Sequence, residues 1–310
     1  MKKKTKATYL KKTLFLLLLL EGIVAFAFSD SFFSSHRSVS SKVLSASHRY
    51  ALAHAASLVA LSSSPSATPT VASRSTPSPT QIVTPQASGF CLRVPVLMYH
   101  HIQPLAEASK LGHAQLTVDS GIFDQQMSYL VAAGYTTLSS DQLVAALLGH
   151  RELPAKSIIV TLDDGYDDAY NYAFGIAKKY NINLDLMIPS GLINNPGYLN
   201  WNQLKEMSGN SLIHVYNHTW SHAALGTASK EKIEYEVTTA QNQLQSQLGK
   251  NTNVFVYPYG SFSPLAISIL KEHGFIAGIS TLPGTLQCDS YMMTLHRSRV
   301  GNGAMSSYGF

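Results

Sequence analysis

Two adjacent carboxylates, Asp163 and Asp164, and two histidines four positions apart, His218 and His222, have the clearest capacity for chemistry in this chain. The carboxylates lie in Thr161-Leu162-Asp163-Asp164-Gly165-Tyr166, directly after the apolar run Ser157-Ile158-Ile159-Val160. That run reads as a buried strand of an α/β protein. An ionised carboxylate is costly to bury unless it is paired or binds a metal. Asp-Asp-Gly alone would also serve as a turn and helix N-cap, so the pair gains weight only in company. The spacing of His218 and His222 puts both imidazoles on one side of a helical turn, suited to grip one ion. Two His and one Asp form an open-faced site with room for water. Zn²⁺, Fe²⁺, Co²⁺ and Ni²⁺ all suit such ligands. Two further polar clusters, His100/His101 and Tyr257-Pro258-Tyr259, also follow apolar runs.

The elements that would position these residues alternate between strand and helix. Strands are predicted over 94–99, 135–138, 157–160, 184–188, 212–216, 254–257, 275–279 and 295–300. Helices are predicted over 123–133, 142–148, 169–180, 201–207, 230–248 and 264–273. Such alternation predicts a parallel sheet, most economically a closed or nearly closed β/α barrel. All four polar clusters then fall at carboxyl ends of strands, which converge on one face of a barrel. Strand alternation sends His100 and His101 in opposite directions, so only one should face the site.

Charge divides the chain. The first 89 residues hold ten Lys or Arg against two acids, a balance of +8, whereas residues 90–310 hold thirteen against sixteen, a balance of −3. The basic character belongs to the leader, which argues against a nucleic-acid partner for the domain. Met1 to Thr13 carries six lysines, and 14–28 is apolar apart from Glu21 and Gly22. Residues 1–28 therefore read as a signal peptide or a membrane anchor. Residues 29–88, rich in Ser, Thr, Pro and Ala, read as a disordered tether. The folded domain is expected at 89–310, outside the cytoplasm, secreted or held at the outer face of the membrane. Cys91 and Cys288 are the only cysteines. Export makes a disulfide between them an option beside two buried thiols.

Thr161-Leu162-Asp163-Asp164-Gly165 followed by His218-Thr219-Trp220-Ser221-His222 resembles the first two motifs of the polysaccharide deacetylases, the NodB-homology carbohydrate esterases. The resemblance runs from about Arg93 to Val300 and implies a distorted (β/α) barrel of about seven strands. It implies that Asp163 is the catalytic base and that Asp164, His218 and His222 hold a divalent metal, Zn²⁺ first and Co²⁺, Ni²⁺ or Fe²⁺ as alternatives. Val256-Tyr257-Pro258-Tyr259 keeps the Pro-Tyr of the family's third motif, so the Tyr259 backbone N–H inherits the oxyanion role, but the usual Arg is missing. Arg297 is a candidate substitute, although a surface or salt-bridged strand residue is the ordinary expectation for it. Pro95-Val96-Leu97-Met98-Tyr99-His100 looks like the circularly permuted branch, which includes deacetylases of poly-N-acetylglucosamine. It implies that His100 is the general acid, with His101 its close competitor. Trp220, Tyr257 and Leu97 are candidates for the wall of an acetyl pocket, Leu97 being also ordinary core. The function implied is metal-dependent N-deacetylation of an N-acetylhexosamine polysaccharide, poly-N-acetylglucosamine-like or peptidoglycan. An O-acetyl esterase on xylan-like glycan and a non-catalytic glycan-binding protein are the alternatives.

Overall fold

The β-branched and apolar runs form strands where expected, and side-chain alternation along them decides what each layer contains. The computed structural model describes residues 88–310, so the leader and all but the last residue of the tether lie outside the described residues. In chain order come β1 (Cys91–Arg93), β2 (Val96–Tyr99), β3 (His101–Ile102), α1 (Leu105–Leu111), β4 (Thr117–Val118), α2 (Ser120–Ala132), β5 (Thr136–Thr137) and α3 (Ser140–Leu148). Then follow β6 (Ser157–Leu162), α4 (Phe174–Tyr180), β7 (Leu184–Ile188), α5 (Trp201–Ser208), β8 (Ile213–Asn217) and α6 (Lys230–Leu248). The chain continues through β9 (Val254–Val256), α7 (Pro264–Glu272), β10 (Ala277–Pro283), β11 (Leu286–Cys288) and β12 (Leu295–Arg299). The helix predicted over 169–180 is two elements, because Ala169–Ala173 is a π-helical turn leading into α4.

Seven parallel strands close a barrel in the order β2, β12, β10, β9, β8, β7, β6, with β6 pairing back to β2. Strand β5 adds a short parallel pairing to the first residues of β6. The α/β barrel expected from the sequence is therefore the fold. The first barrel strand is inserted between the last one and β6. Leu97 and Met98 pair with Ser298 and Arg299 on one side, and Val96 to Tyr99 with Ile159 to Leu162 on the other. No closing helix after β12 is needed, because β2 supplies the closure.

Residues two apart share a face of a strand. Val96, Ile159, Met187, Tyr216, Val256, Ile279 and Leu295, one from each barrel strand, pack into a single cluster, which is the barrel interior. Their neighbours Leu97, Val160, Leu186 and Val215 face outward and pack with Phe123, Met127, Leu204 and Met207 of the helices. Phe255 and Tyr257 face outward against α6 and α7. Each such fully buried side chain contributes about 1.5–3 kcal/mol. Reciprocal capping boxes start α3 (Ser139 with Gln142) and α5 (Asn200 with Gln203). Outside the barrel, β1 and β11 form an antiparallel ribbon in which Cys91 and Cys288 are directly paired and disulfide-bonded.

At the amino end of the barrel, Asp185 is fully buried. Its Oδ2 accepts hydrogen bonds from the Ser140 amide (2.8 Å) and hydroxyl (2.6 Å), and its Oδ1 has no partner. Burial, with a smaller push from Asp141, raises its pKa to about 8. The native state thus binds a proton that the unfolded chain releases near pH 4. Stability contributed by neutral Asp185 is full below pH 4 and is lost as pH rises toward 8. Asp185→Asn, which keeps the acceptor oxygen without the charge, is expected to flatten the fall in thermal midpoint between pH 5 and 8.5. Thermal unfolding of both proteins across that range checks it.

Candidate active site

The carboxyl ends of β2, β6, β8 and β9 bring the expected residues together, and alternation settles which side chains enter. Met98 and His100 continue the inward face of Val96. Thr161 and Asp163 continue that of Ile159, Arg297 that of Leu295, and His218 that of Tyr216. By the same rule Leu97 and Tyr257 face outward. Both have no exposed surface and pack in the helix-facing core. The structure therefore does not place them on the wall of an open pocket, in contrast to the expectation from sequence. Trp220 is half-buried, with its indole edge against Gly191 and its ring edge-on to Tyr235.

Asp164, His218 and His222 converge, their ligand atoms all lying within 4.8 Å of one another. His222 Nε2 is 3.0 Å and His218 Nε2 is 3.5 Å from Asp164 Oδ1. The two histidines do not meet through a helical turn. The segment between them is irregular, with left-handed backbone at Thr219 (φ 66°) and His222 (φ 60°). Asp164 is left-handed too (φ 73°), a conformation that costs a non-glycine residue energy and recurs at functional sites.

The surroundings of these three side chains fit a cation. His218 Nδ1 donates to the Val256 carbonyl at 2.8 Å, which fixes the tautomer and leaves Nε2 with a free lone pair. His222 Nδ1 lies 3.1 Å from the Tyr259 hydroxyl, and the Tyr166 hydroxyl donates to Asp164 Oδ2 at 3.1 Å. Asp164 Oδ1, the oxygen nearest both imidazoles, is buried with no hydrogen-bond donor. An acceptor orphaned among ring nitrogens is costly in an empty protein site and natural for a metal ligand. Burial pushes the Asp164 carboxyl up, but the two adjacent imidazoles outweigh it and hold it below the usual carboxylate range.

Asp163 is separate from this set. Its Oδ1 accepts from Arg297 Nη1 at 2.7 Å, and both side chains are buried. Arg297 is fixed in turn by the Ser280 carbonyl (2.8 Å) and the Thr161 hydroxyl (3.3 Å). The guanidinium missing from the 256–259 segment is thus supplied from β12, and Arg297 is only 2% exposed rather than a surface residue. Burial raises the Asp163 pKa, yet Arg297 first, then His100 and His218, bring it below its ordinary value. His100 lies beside this pair. Burial chiefly lowers its pKa, the Asp163 and Asp164 carboxylates oppose that, and Arg297 and Arg299 add to it. The neighbouring His101 is bonded instead to Asp168, on the outer side of the barrel wall. Tyr259 is 70% exposed at φ 58°, and its backbone N–H makes no hydrogen bond among the described residues.

Sequence reading did not single out Glu236, although it supports the metal-ligand segment. It is fully buried on α6 and accepts from the amides of Trp220 (3.0 Å) and Ser221 (2.7 Å), the Ser221 hydroxyl (2.6 Å) and Lys232 Nζ (2.6 Å). The signal was an acid in the apolar stripe Ile233, Val237, Ala240, Leu244. Glu236→Ala is expected to weaken Zn²⁺ or Co²⁺ binding by about 10–100-fold, the usual cost of losing an outer support. A metal titration of variant and wild type checks it.

Comparison with known proteins agrees with this architecture. A family model described as polysaccharide deacetylase matches residues 150–278. The chain is 30% identical to the Streptococcus pyogenes deacetylase PplD, solved with acetate, at a TM-score of 0.63, covering 67% of this chain and 92% of that one. It is 27% identical to YxkH of Bacillus subtilis, provisionally named a polysaccharide deacetylase, over 69% of this chain and 74% of the relative. It is 23% identical to the poly-beta-1,6-N-acetyl-D-glucosamine N-deacetylase of Escherichia coli over 58% of this chain, spanning 32% of that protein's length. The barrel strung in permuted order, the matched stretch from 150 to 278 and the likeness to PplD along nearly its full length have one reading: the chain belongs to the polysaccharide deacetylase family.

Proposed function

We propose that the protein is a metal-dependent N-deacetylase of an N-acetylhexosamine polysaccharide of the poly-N-acetylglucosamine type, working outside the cytoplasm. The observation that carries this is the placement of an Arg-paired carboxylate, Asp163, beside a separate cation-fitting set, Asp164, His218 and His222. The E. coli relative's name supports the choice of polymer, and the Lys-rich apolar leader supports the location. Peptidoglycan is the nearest competing substrate. Among the described residues no helix is long and apolar enough to cross a membrane.

In this reading Asp164, His218 and His222 hold the ion, which when bound acidifies a water and polarises the acetamide carbonyl. Asp163, kept ionised by Arg297, accepts the proton that the attacking water loses. The free N–H of Tyr259 donates to the oxyanion of the tetrahedral intermediate. His100 gives a proton to the departing sugar nitrogen as its bond to the acetyl carbon breaks. The products are acetate and a free amine. An amine is a poor leaving group, so this proton matters more than it would for an ester. Trp220 lies on the segment joining the two histidines and is the remaining candidate for the acetyl pocket wall.

Acetate release from β-1,6-linked N-acetylglucosamine oligomers, chitin oligomers, peptidoglycan and acetylated xylan, each with added Zn²⁺, Co²⁺ or Ni²⁺, tests the proposal. Release from the first substrate above the others is expected. Release from xylan alone would make the protein an O-acetyl esterase. Binding without release from any of them would leave a glycan-binding protein.

A further inference from the structure

A carboxylate can meet an ion with one oxygen or with both, and the surroundings of Asp164 treat its two oxygens differently. Its Oδ1 lies 3.0 Å from His222 Nε2 and 3.5 Å from His218 Nε2 and accepts no hydrogen bond. Its Oδ2 accepts from the Tyr166 hydroxyl at 3.1 Å. One oxygen is bare among the imidazoles, and the other is already engaged by a donor. Tyr166 lies two residues along the chain, and its hydroxyl returns to Asp164 because Asp164 (φ 73°) and Gly165 (φ 70°) are both left-handed. Two successive residues of that kind make a tight chain reversal.

The Tyr166 side chain is held from several directions. The Leu199 amide donates to the Gly165 carbonyl at 2.9 Å and the Asp167 amide to the Gly197 carbonyl at 3.1 Å, so the backbone is pinned on both sides of Tyr166. Its ring stacks on His101, with centroids 3.6 Å and planes 17° apart, and lies against Tyr198 at 5.2 Å. His101 is fixed in turn. Its Nδ1 donates to Asp168 Oδ2, and the Ile102 amide donates to Asp168 Oδ1 at 3.1 Å. His101 and Asp168 are both buried. A phenol stacked on a ring that a buried carboxylate holds has little freedom to turn its hydroxyl away from Asp164. None of these three side chains takes part in the chemistry above.

We infer that Tyr166 is a positioning residue that keeps Asp164 a one-oxygen ligand, and that His101 and Asp168 hold the Tyr166 ring to that task. The inference rests on the reading of Asp164, His218 and His222 as the cation set. An Asp164 that met the ion with both oxygens would take a place that the attacking water and the acetamide oxygen need. Turning Oδ2 toward the ion requires giving up the Tyr166 hydrogen bond, and outer hydrogen bonds of this kind orient ligating carboxylates.

Co²⁺ titration of the chelator-stripped full chain, followed by visible absorption, tests this without any substrate. Tyr166→Phe removes the hydroxyl alone and keeps the stacked ring. It is expected to weaken Co²⁺ binding by about ten-fold. At saturation it should also shift the Co²⁺ band and lower its intensity, because a second carboxylate oxygen raises the coordination number. His101→Asn keeps a side-chain N–H for Asp168 and removes the ring that faces Tyr166. It should move the band in the same direction, and the double variant should go no further than the larger single change. A Tyr166→Phe band that coincides with that of the wild type at saturation would overturn the inference, whatever the affinity. A wild type that takes up no Co²⁺ would overturn the cation reading itself and this inference with it, so the two failures are distinct.

Discussion

Asp163→Asn is expected to lower kcat/KM for acetate release by about 10²–10⁴-fold, the usual worth of a positioned general base, while leaving metal binding intact. The amide keeps the oxygen that accepts from Arg297 Nη1 at 2.7 Å, but it cannot take a proton from water at neutral pH. The cation-fitting set comprises Asp164, His218 and His222 and does not include Asp163. Loss of turnover should therefore separate from loss of metal. Steady-state acetate release beside a Co²⁺ titration checks both halves. A variant that lost metal affinity in proportion to activity would show that Asp163 is a ligand and not the base.

Arg297→Ala carries the second large effect, on both stability and turnover. It leaves the Asp163 carboxylate buried without its partner. Breaking a buried pair by removing one member costs about 3–5 kcal/mol. For a domain of this size that is about 2–4 °C of thermal midpoint per kcal/mol. The pH dependence should change sign. In the native protein the Asp163 pKa lies below its unfolded value despite burial, chiefly through Arg297. The pair's stability is thus present above about pH 4 and lost as acid protonates Asp163. Without the guanidinium, burial prevails and the carboxyl rises above its unfolded value. The variant then loses stability as pH increases above about 4. Its turnover should fall as well, because a carboxyl whose pKa has risen is ionised in a smaller fraction of molecules and serves less often as a base. Thermal unfolding from about pH 2 to 8 distinguishes the two, the wild type losing its increment below about pH 4 and the variant losing stability above it.

The barrel was legible because β2, β6, β7 and β9 are apolar runs and the helices between the strands carry caps and stripes. The metal-fitting set was legible because its residues lie in two short local motifs, Asp163-Asp164 and His218 to His222. What the sequence concealed was mostly non-local. The Arg297–Asp163 pair spans 134 positions, and the sequence offers Arg297 only as a candidate for the missing motif Arg, with an ordinary surface or salt-bridged role as the first expectation. The insertion of β2 between β12 and β6 is a long-range fact of the same kind, hinted at only by the motif ending in His100. Leu97 and Tyr257 were placed near the substrate by their proximity in sequence to site residues. Strict alternation along β2 and β9 would have turned them outward, as it separated His100 from His101. The His218–His222 spacing suggested a helical turn, but two left-handed residues, Thr219 and His222, achieve the convergence instead. Glu236 was visible only as an acid in an apolar stripe.

The most direct test of the central claim is metal reconstitution. The protein is stripped with chelator and then titrated with Zn²⁺ or Co²⁺ while acetate release from the β-1,6-linked N-acetylglucosamine pentamer is followed. The account predicts no release from the stripped protein and recovery that saturates at one ion per chain. It also predicts that no recovery occurs when His218 is replaced by alanine. Undiminished release from the stripped protein, or full recovery in His218→Ala, would contradict it.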